Sequence, residues 1–469
     1  MQKSYLFYDL ETSGLNKCFD QVLQFAAVRT DLNFQELERH EIFVKLNPDV
    51  IPSPEAFLTH KISPASLTEG CCEYEAVSEI HKLFNTPGTI SVGYNNLGFD
   101  DEFLRFSFYR NLFDPYSHQY ANGCRRMDIY PMVVVYYLFK SRKLNWPNLS
   151  TEERISLKLE DLASCNGLSS KNSHNAMGDV LTTLALAKKL RQETKVWSYL
   201  INNFEKDVDI DRVWKLPLLD HGYQEGLLID GSLGFKRFYQ LQALCLGMHR
   251  YYSNQNLWIP LDQFLWEKME DDISNNTFVV RKRFGEMPLV FPLGKRFDCH
   301  LTDDRLELAK TNRNWLKNNG SIFNEVVKYH RNYRYPEIPN LDIDASLYQL
   351  GFMAPSERRY CIDFHNTSNV DKFKLTKRVL NNNLRIQALR ILGRNYPEIL
   401  IRDMELYGEF QQYLKMIKEG YPMVDYKNEQ RRNPSSALEE IATLKKAQFL
   451  NNKKDEAIIE ELAKYIQSW

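Results

Sequence analysis

Over its first 200 residues the chain alternates short runs of strand character with runs of helical spacing. That alternation predicts a sheet covered by helices, rather than a helical bundle or a β-sandwich. Ser4–Leu10 reads as a strand, and Gln21–Thr30 and Glu41–Leu46 follow with β-rich, half-buried patterns. Thr89–Tyr94 reads as another strand. Behind it Phe99, Phe103 and Phe106 recur at helical spacing. Val180 to Lys189 reads as a helix, with Lys188 and Lys189 suiting its C-terminal end.

The pattern changes further on. Between residues 210 and 300, short apolar runs are broken by Gly, Asp and Pro: Gly226–Ile229, Phe238–Leu246, Leu257–Leu261, Thr277–Arg281 and Met287–Leu293. Runs of this length and spacing predict a small β-barrel or sandwich. From Asp344 onwards the spacing is helical, with amphipathic stretches at Leu375–Leu392 and Met404–Ile417. A chain of 469 residues exceeds one ordinary core. Three units are therefore expected: 1–197, 198–340 and 341–469.

Lys and Arg number 60 against 61 Asp and Glu. Overall charge thus gives no hint of a polyanion, and a nucleic-acid site has to come from local clustering. The eight cysteines form no C-x-x-C pair, which speaks against zinc and for free thiols in a reducing compartment. The apolar run from Met132 to Phe139 is too short to cross a bilayer, and no signal peptide is evident. A cytoplasmic protein is expected.

Three motifs carry chemistry. The first is Y-D-L-E-T-S-G (8–14). Residues two apart on a strand point to the same face, so Asp9 and Glu11 stand side by side. Adjacent carboxylates repel unless a cation joins them, and hard oxygen donors favour Mg²⁺ or Mn²⁺. A chain with this many acids holds about two D-x-E matches by chance, so the pair needs company. The second is G-Y-N-N-L-G-F-D-D-E-F (93–103), which places Asp100 in a first helical turn, with Asp101 and Glu102 as competitors. Acids there also simply complement the helix dipole. The third is S-H-N-A-M-G-D (173–179). Ser173 or Asn175 can cap the helix that carries Asp179. His174 lies just outside it, with a side chain that takes a proton near neutral pH.

The order D-x-E, D, H-x-x-x-x-D resembles the DEDD exonuclease superfamily in its histidine branch. Q-F-A-A-V-R-T-D (24–31), G-Y-N-N-L-G-F-D-D-E (93–102), F-Y-R-N-L-F-D-P-Y (108–116), L-N-W-P (144–147), L-E-D-L (159–162), N-G-L-S (166–169) and D-A-S-L-Y-Q-L-G-F (344–352) are similar, more narrowly, to the bacterial exonuclease I family. The resemblance implies an α/β ribonuclease H-like exonuclease domain with a mixed sheet, then a small SH3-like β domain, then an α-helical C-terminal domain. It implies processive 3′→5′ hydrolysis of single-stranded DNA to nucleoside 5′-monophosphates, in DNA repair and recombination. Two Mg²⁺ ions, replaceable by Mn²⁺, are expected on Asp9, Glu11, Asp100 and Asp179, with His174 as the base. An RNA-directed exonuclease of the same branch is the alternative. Such an enzyme has no need of the extra 270 residues.

By the same resemblance Glu11, Thr12, Arg105, Tyr116, Tyr120, Lys140 and Lys158 contact the substrate strand. Two positions depart from the pattern. Lys158 stands where an arginine is expected, keeping the charge but losing the bidentate fork. Asn175 stands where an acid is expected. R-K-R-F (281–284) and K-Y-H-R-N-Y-R-Y (328–335) interleave base and aromatic, as single-strand binders do. The resemblance also implies a monomer that docks the acidic C-terminal tail of single-stranded DNA-binding protein. Arg358, Arg359, Arg431 and Arg432 are candidate bases for that tail.

Overall fold

In a computed structural model, residues 2–149, 154–168, 175–219, 222–266, 276–447 and 452–469 are described. The N-terminal region is built on a five-stranded mixed sheet in the order β3-β2-β1-β4-β5. The strands are β1 (Ser4–Thr12), β2 (Val22–Thr30), β3 (Glu36–Phe43), β4 (Thr89–Gly93) and β5 (Arg125–Asp128). β1 runs antiparallel to β2 and parallel to β4. The α/β fold class is thus borne out.

β1 is central and buried on both faces, which explains its unbroken apolar run. Its odd residues Tyr5 and Phe7 pack into one core with Val180 and Leu184. Its even residues Leu6, Tyr8 and Leu10 pack into another with Ile80, Phe103 and Leu104. The period of two therefore sends Asp9 and Glu11 towards the face that Tyr5 and Phe7 share with the helix carrying Asp179.

β3 differs from expectation. It begins at Glu36 and ends at Phe43, whereas Glu41–Leu46 is the expected strand. It is a sheet edge with mostly solvated side chains, E-L-E-R-H-E-I-F, so hydrophobic pattern does not mark it.

Four helices matter for the site. They are α1 (Glu73–Phe84), α2 (Asp100–Arg110), α3 (Ile129–Lys140) and α4 (Ala176–Arg191). A second five-stranded sheet, wholly antiparallel, joins segments Glu225–Ile229, Gln240–Met248, Gln255–Pro260, Val280–Arg283 and Leu289–Phe291. All five coincide with the expected short runs to within a few residues. The same stretch also carries helices Asp303–Asn318 and Gly320–Asn332, which a purely β unit would not. Ala309, Leu316, Phe323, Val326 and Val327 bury their apolar stripes against Leu244, Leu257 and Ile259 of the sheet.

Beyond residue 340 the chain is helical, as expected. The single amphipathic stretch read over Leu375–Leu392 is two helices, Lys372–Arg378 and Asn382–Asn395. Asn381 makes the break, because its side chain caps the second helix by accepting from the amides of Asn383 and Leu384. This region closes on the N-terminal unit through a buried ionic cluster. Asp49 accepts from Arg394 (2.6 Å), Tyr413 (2.9 Å) and Arg431 (3.2 Å). Arg431, a candidate base for an acidic tail, is thereby engaged inside the fold. Among the described residues no helix is long and apolar enough to cross a membrane.

Candidate metal centre

β1 delivers Asp9 and Glu11 to one spot because they end an odd-numbered face that is apolar up to Phe7. α4 delivers Asp179. Asn175 caps that helix, its side chain accepting from the Gly178 amide at 2.7 Å, so Asn175 performs the capping expected of it or Ser173. Asp179 follows in the first turn. The Ala176 amide also donates to Gln24 Oε1 at 3.4 Å, and Gln24 is the residue paired with Glu11 across the β1–β2 ladder. The start of α4 is thus tied to the strand beside Glu11. As a result, one carboxylate oxygen from each of Asp9, Glu11 and Asp179 lies within 4.8 Å of the others.

Asp100 opens α2 and is 7% exposed. It completes the set electrostatically. Burial pushes the Asp9 carboxyl well above its ordinary range, and the charges of Asp100, Glu11 and Asp179 add to that, Asp100 first. Burial, then Asp179 and Asp100, push Glu11 up to about 8. Burial pushes Asp100 up to about 8 as well, with Asp128 and Asp101 adding to the rise while the amides of Asp100 and Leu10 oppose it. Three carboxyls driven towards their neutral forms, with the charge of Asp179 beside two of them, are relieved by positive charge placed between them. Their donors are all hard oxygens, so the set fits divalent cations of the Mg²⁺ and Mn²⁺ kind.

Asp101 and Glu102, the competitors for the Asp100 role, are committed elsewhere. Asp101 is fully buried and accepts from Arg126 (2.6 Å), Arg105 (2.8 Å) and His118 (3.0 Å). Glu102 pairs with Lys17 and accepts from the hydroxyls of Tyr348 (2.8 Å) and Tyr426 (3.0 Å). Successive helical positions point about 100° apart. The three adjacent acids therefore serve three different surroundings.

Asp128 went unnoticed in the sequence. It is fully buried and caps α3. Its Oδ1 accepts from the amides of Asn95 (2.8 Å) and Tyr130 (2.9 Å), and its Oδ2 from that of Leu97 (3.3 Å). It thus fixes the turn that leads from β4 into Asp100. An aspartate directly before an apolar helical run, D-I-Y-P-M-V, is a capping signal that could have exposed it.

The remaining candidates are scattered around the acids. Thr12 is buried, its hydroxyl donating to Gly14 O at 2.8 Å. Arg105 is 5% exposed and also donates to the Tyr348 hydroxyl at 2.9 Å. Its guanidinium lies 5.4 Å from the Tyr116 ring centre. Tyr120 is exposed, and Lys140 ends α3 half-buried. Lys158 is largely solvated, 3.9 Å from Glu160. His174 lies outside the described residues. A cavity of about 530 Å³ lies away from the carboxylates, between Tyr116 and the helix Pro355–Asn366, and Arg358 lines it.

Comparison with known proteins follows the same lines. Residues 6–187 match the RNase_T family model, described as "Exonuclease". Exodeoxyribonuclease I of Haemophilus influenzae is 34% identical over 263 residues, which cover 55% of this chain and 54% of that protein. Exodeoxyribonuclease I of Escherichia coli is 36% identical over 208 residues, 44% of each chain. The chain thus aligns with about half the length of these curated relatives. In structure the likeness is complete. E. coli exonuclease I in complex with a dA16 oligonucleotide superposes with a TM-score of 0.86 at 23% identity, covering all of both chains. A zinc-bound form of the E. coli enzyme with single-stranded DNA gives 0.84 at 25% identity, covering 100% of this chain and 99% of the other. The resemblance to bacterial exonuclease I read from the motifs is borne out, and the fold is that of exonuclease I throughout.

Proposed function

We propose that this chain is an exodeoxyribonuclease of the exonuclease I type, removing nucleoside 5′-monophosphates from the 3′ end of single-stranded DNA. The observation that carries this reading is the convergence of Asp9, Glu11 and Asp179 within 4.8 Å, with Asp100 acting on them, on an exonuclease I fold. The relatives named exodeoxyribonuclease I and the solved complexes with DNA oligonucleotides support the substrate.

Asp9, Glu11, Asp100 and Asp179 would hold two divalent cations, with Mg²⁺ the natural occupant and Mn²⁺ a substitute. Bound there, the ions supply the positive charge that lets these acids ionise and that stabilises charge developing on the phosphoryl group. The chain's own groups do the rest. Asp128 holds the Asn95–Leu97 turn, and so Asp100, in place. Asn175 and Gln24 hold the start of α4, and so Asp179. His174, one residue before the helix cap, takes the proton from the attacking water. Glu11 and Thr12 meet the terminal nucleotide. Arg105, Tyr116, Tyr120, Lys140 and Lys158 line the strand's approach, Lys158 as a point charge in place of an arginine. The units 1–197, 198–340 and 341–469 act together as a cytoplasmic monomer in DNA repair. A single-stranded DNA-binding protein tail is the proposed partner.

The test is digestion of 5′-labelled single-stranded DNA, double-stranded DNA and matched RNA, with and without Mg²⁺. A Mg²⁺-dependent ladder shrinking from the 3′ end, fastest on single-stranded DNA, is expected. Faster loss of RNA would favour the RNA-directed alternative. Cleavage that persists in chelator would remove the metal centre from the mechanism.

A further inference from the structure

α2 carries Asp100 to the other acids, yet its own first turn does little to hold it there. No side chain caps the helix, and Phe99, directly before Asp100, lies outside helical geometry. A helix start without a cap leaves its opening turn to be fixed by other parts of the chain. Asp128 fixes one side of that turn by accepting from the amides of Asn95 and Leu97. The other side is held by Lys17, a residue with no motif to mark it. Its ammonium donates to Gly98 O at 3.1 Å, pairs with the Glu102 carboxylate and lies 5.8 Å from the Phe99 ring centre. Gly98 and Glu102 stand two residues to either side of Asp100, so a single cation brackets it.

Three properties separate this contact from an ordinary surface ion pair, which contributes little. First, it is shielded, the side chains of Lys17 and Glu102 being 13% and 17% exposed. Second, Lys17 stands on a built loop, the link 13–21 from β1 to β2. Asp20 accepts from the Ser13 hydroxyl at 2.8 Å and the Asn16 amide at 2.9 Å. Asn16 Oδ1 accepts in turn from the amides of Cys18 at 3.0 Å and Phe19 at 3.2 Å. The backbone on both sides of Lys17 is thereby fixed. Third, the loop leaves β1 at Thr12, directly after Glu11. Lys17 therefore spans the gap between the strand that carries Asp9 and Glu11 and the helix that opens with Asp100. Glu102 is suited to receive it. Tyr348 and Tyr426 occupy Glu102 Oε1 and leave Oε2 to the ammonium. Against burial, which pushes Glu102 up, Lys17 does most to hold it below its ordinary range, followed by Tyr348 and Arg105.

Of the charges around Asp9, that of Asp100 acts on it most strongly, so their separation decides how firmly a shared cation is held. We propose that Lys17 is a positioning residue of the metal centre. By tying Gly98 and Glu102 to the loop that leaves β1, it fixes Asp100 at the distance from Asp9 and Glu11 that a shared divalent cation requires. Lys17 works through Asp100 and takes no part in the chemistry itself. This role rests on the metal-dependent reading of the four acids.

The test measures Mn²⁺ uptake without DNA, read from the electron paramagnetic resonance signal of the free ion. Lys17→Met keeps the aliphatic stem and loses the charge, and Lys17→Arg keeps the charge. Lys377→Met breaks another lysine–carboxylate pair, with Asp403 at 2.6 Å, and serves as the control. Residues behind metal ligands typically govern about 10- to 100-fold in affinity, and Lys17→Met should weaken the weakest Mn²⁺ site of wild type by that factor. Lys17→Arg should stay within a few-fold of wild type, and Lys377→Met should match it. Glu102→Gln removes the other half of the pair and should weaken the same site, so the outcome does not hang on the folding of one variant. In nucleotide release, Lys17→Met should need more Mg²⁺ while its KM for DNA stays unchanged. Unaltered Mn²⁺ binding in Lys17→Met, or equal losses in Lys17→Met and Lys377→Met, would overturn the role of Lys17 alone. Wild type that takes up no Mn²⁺ would overturn the metal centre and this role with it.

Discussion

Asp128 offers a perturbation whose two halves separate. Its hydrogen bonds and its charge act in opposite directions. Replacing it with alanine removes the cap of α3, worth about 1 kcal/mol, and leaves the amides of Asn95 and Leu97 without their acceptor. Each amide costs about 1 kcal/mol more where water does not reach it. Since Asn95 is exposed, the expected loss is about 2–3 kcal/mol rather than the full sum. Asparagine behaves differently. Both short bonds, from Asn95 and Tyr130, end on the same oxygen, so a carboxamide keeps them and gives up only the 3.3 Å bond from Leu97. It also removes a charge that burial resists, for Asp128 is pushed up to about 7. A raised carboxyl means that the folded state binds the extra proton between the unfolded value near 4 and about 7, so its contribution falls as pH rises through that window. At about 1.4 kcal/mol per pH unit the penalty above pH 7 reaches at most about 4 kcal/mol. Asp128→Asn should therefore match wild type near pH 5 and equal or exceed it at pH 8. Asp128→Ala should stay about 2 kcal/mol below the asparagine variant at both. Urea midpoints at the two pH values in EDTA decide this, and Mg²⁺-dependent nucleotide release should survive in Asn and fall in Ala. An alanine variant that tracks the asparagine variant at both pH values would refute the claim that this carboxyl holds the turn.

Other substitutions probe separate parts. Asp9→Asn should abolish nucleotide release while leaving oligonucleotide affinity within a few-fold; wild-type turnover would show that Asp9 holds no essential cation. His174→Ala should cost about 10²–10⁴ in rate, and an unchanged rate would place the base elsewhere. Asp49→Ala strands Arg394 and Arg431 in the interface and should cost about 3–5 kcal/mol in denaturant unfolding, against which a loss below 1 kcal/mol would count. The same arginines hold the Asp49 carboxyl far below its ordinary range, so its contribution is complete above about pH 4 and fades only on stronger acidification. Lys158→Arg should tighten single-strand binding several-fold by restoring a bidentate phosphate grip, visible as a lower KM with kcat little changed.

How much could be read in advance depended on how local the cause was. β1 and the D-x-E pair were legible because period and burial agree over nine consecutive residues. β3 was not, since an edge strand carries no apolar signature. The capping role of Asn175 was legible as one of two choices, and the split at Asn381 was missed although it uses the same chemistry. There the apolar spacing ran on across the break and outweighed a single polar residue. Asp49 and Arg394 are invisible in the sequence, because their partners lie several hundred residues away. The packing of Tyr335 against Tyr252 is hidden for the same reason, although Tyr335 sits inside a segment that stands out for its composition.

The F-D-D-E run shows why one kind of residue, read in sequence, resists assignment. Asp100, Asp101 and Glu102 are equivalent as letters, and only what surrounds each separates them. Asp101 is satisfied by two arginines and a histidine, so it stays ionised without a cation. Asp100 faces other acids and is driven towards its neutral form, so it gains most from one. Glu102 reaches outward to Tyr348 and Tyr426, while Arg126 carries the Asp101 cluster across to Glu286 beyond the second sheet's edge strand. The helix that opens with Asp100 is therefore clamped, through the two residues that follow it, by the other two parts of the chain. Loosening either clamp should displace Asp100 along with the turn that bears it. On this view the later parts of the chain hold Asp100 in place beside Asp9, Glu11 and Asp179.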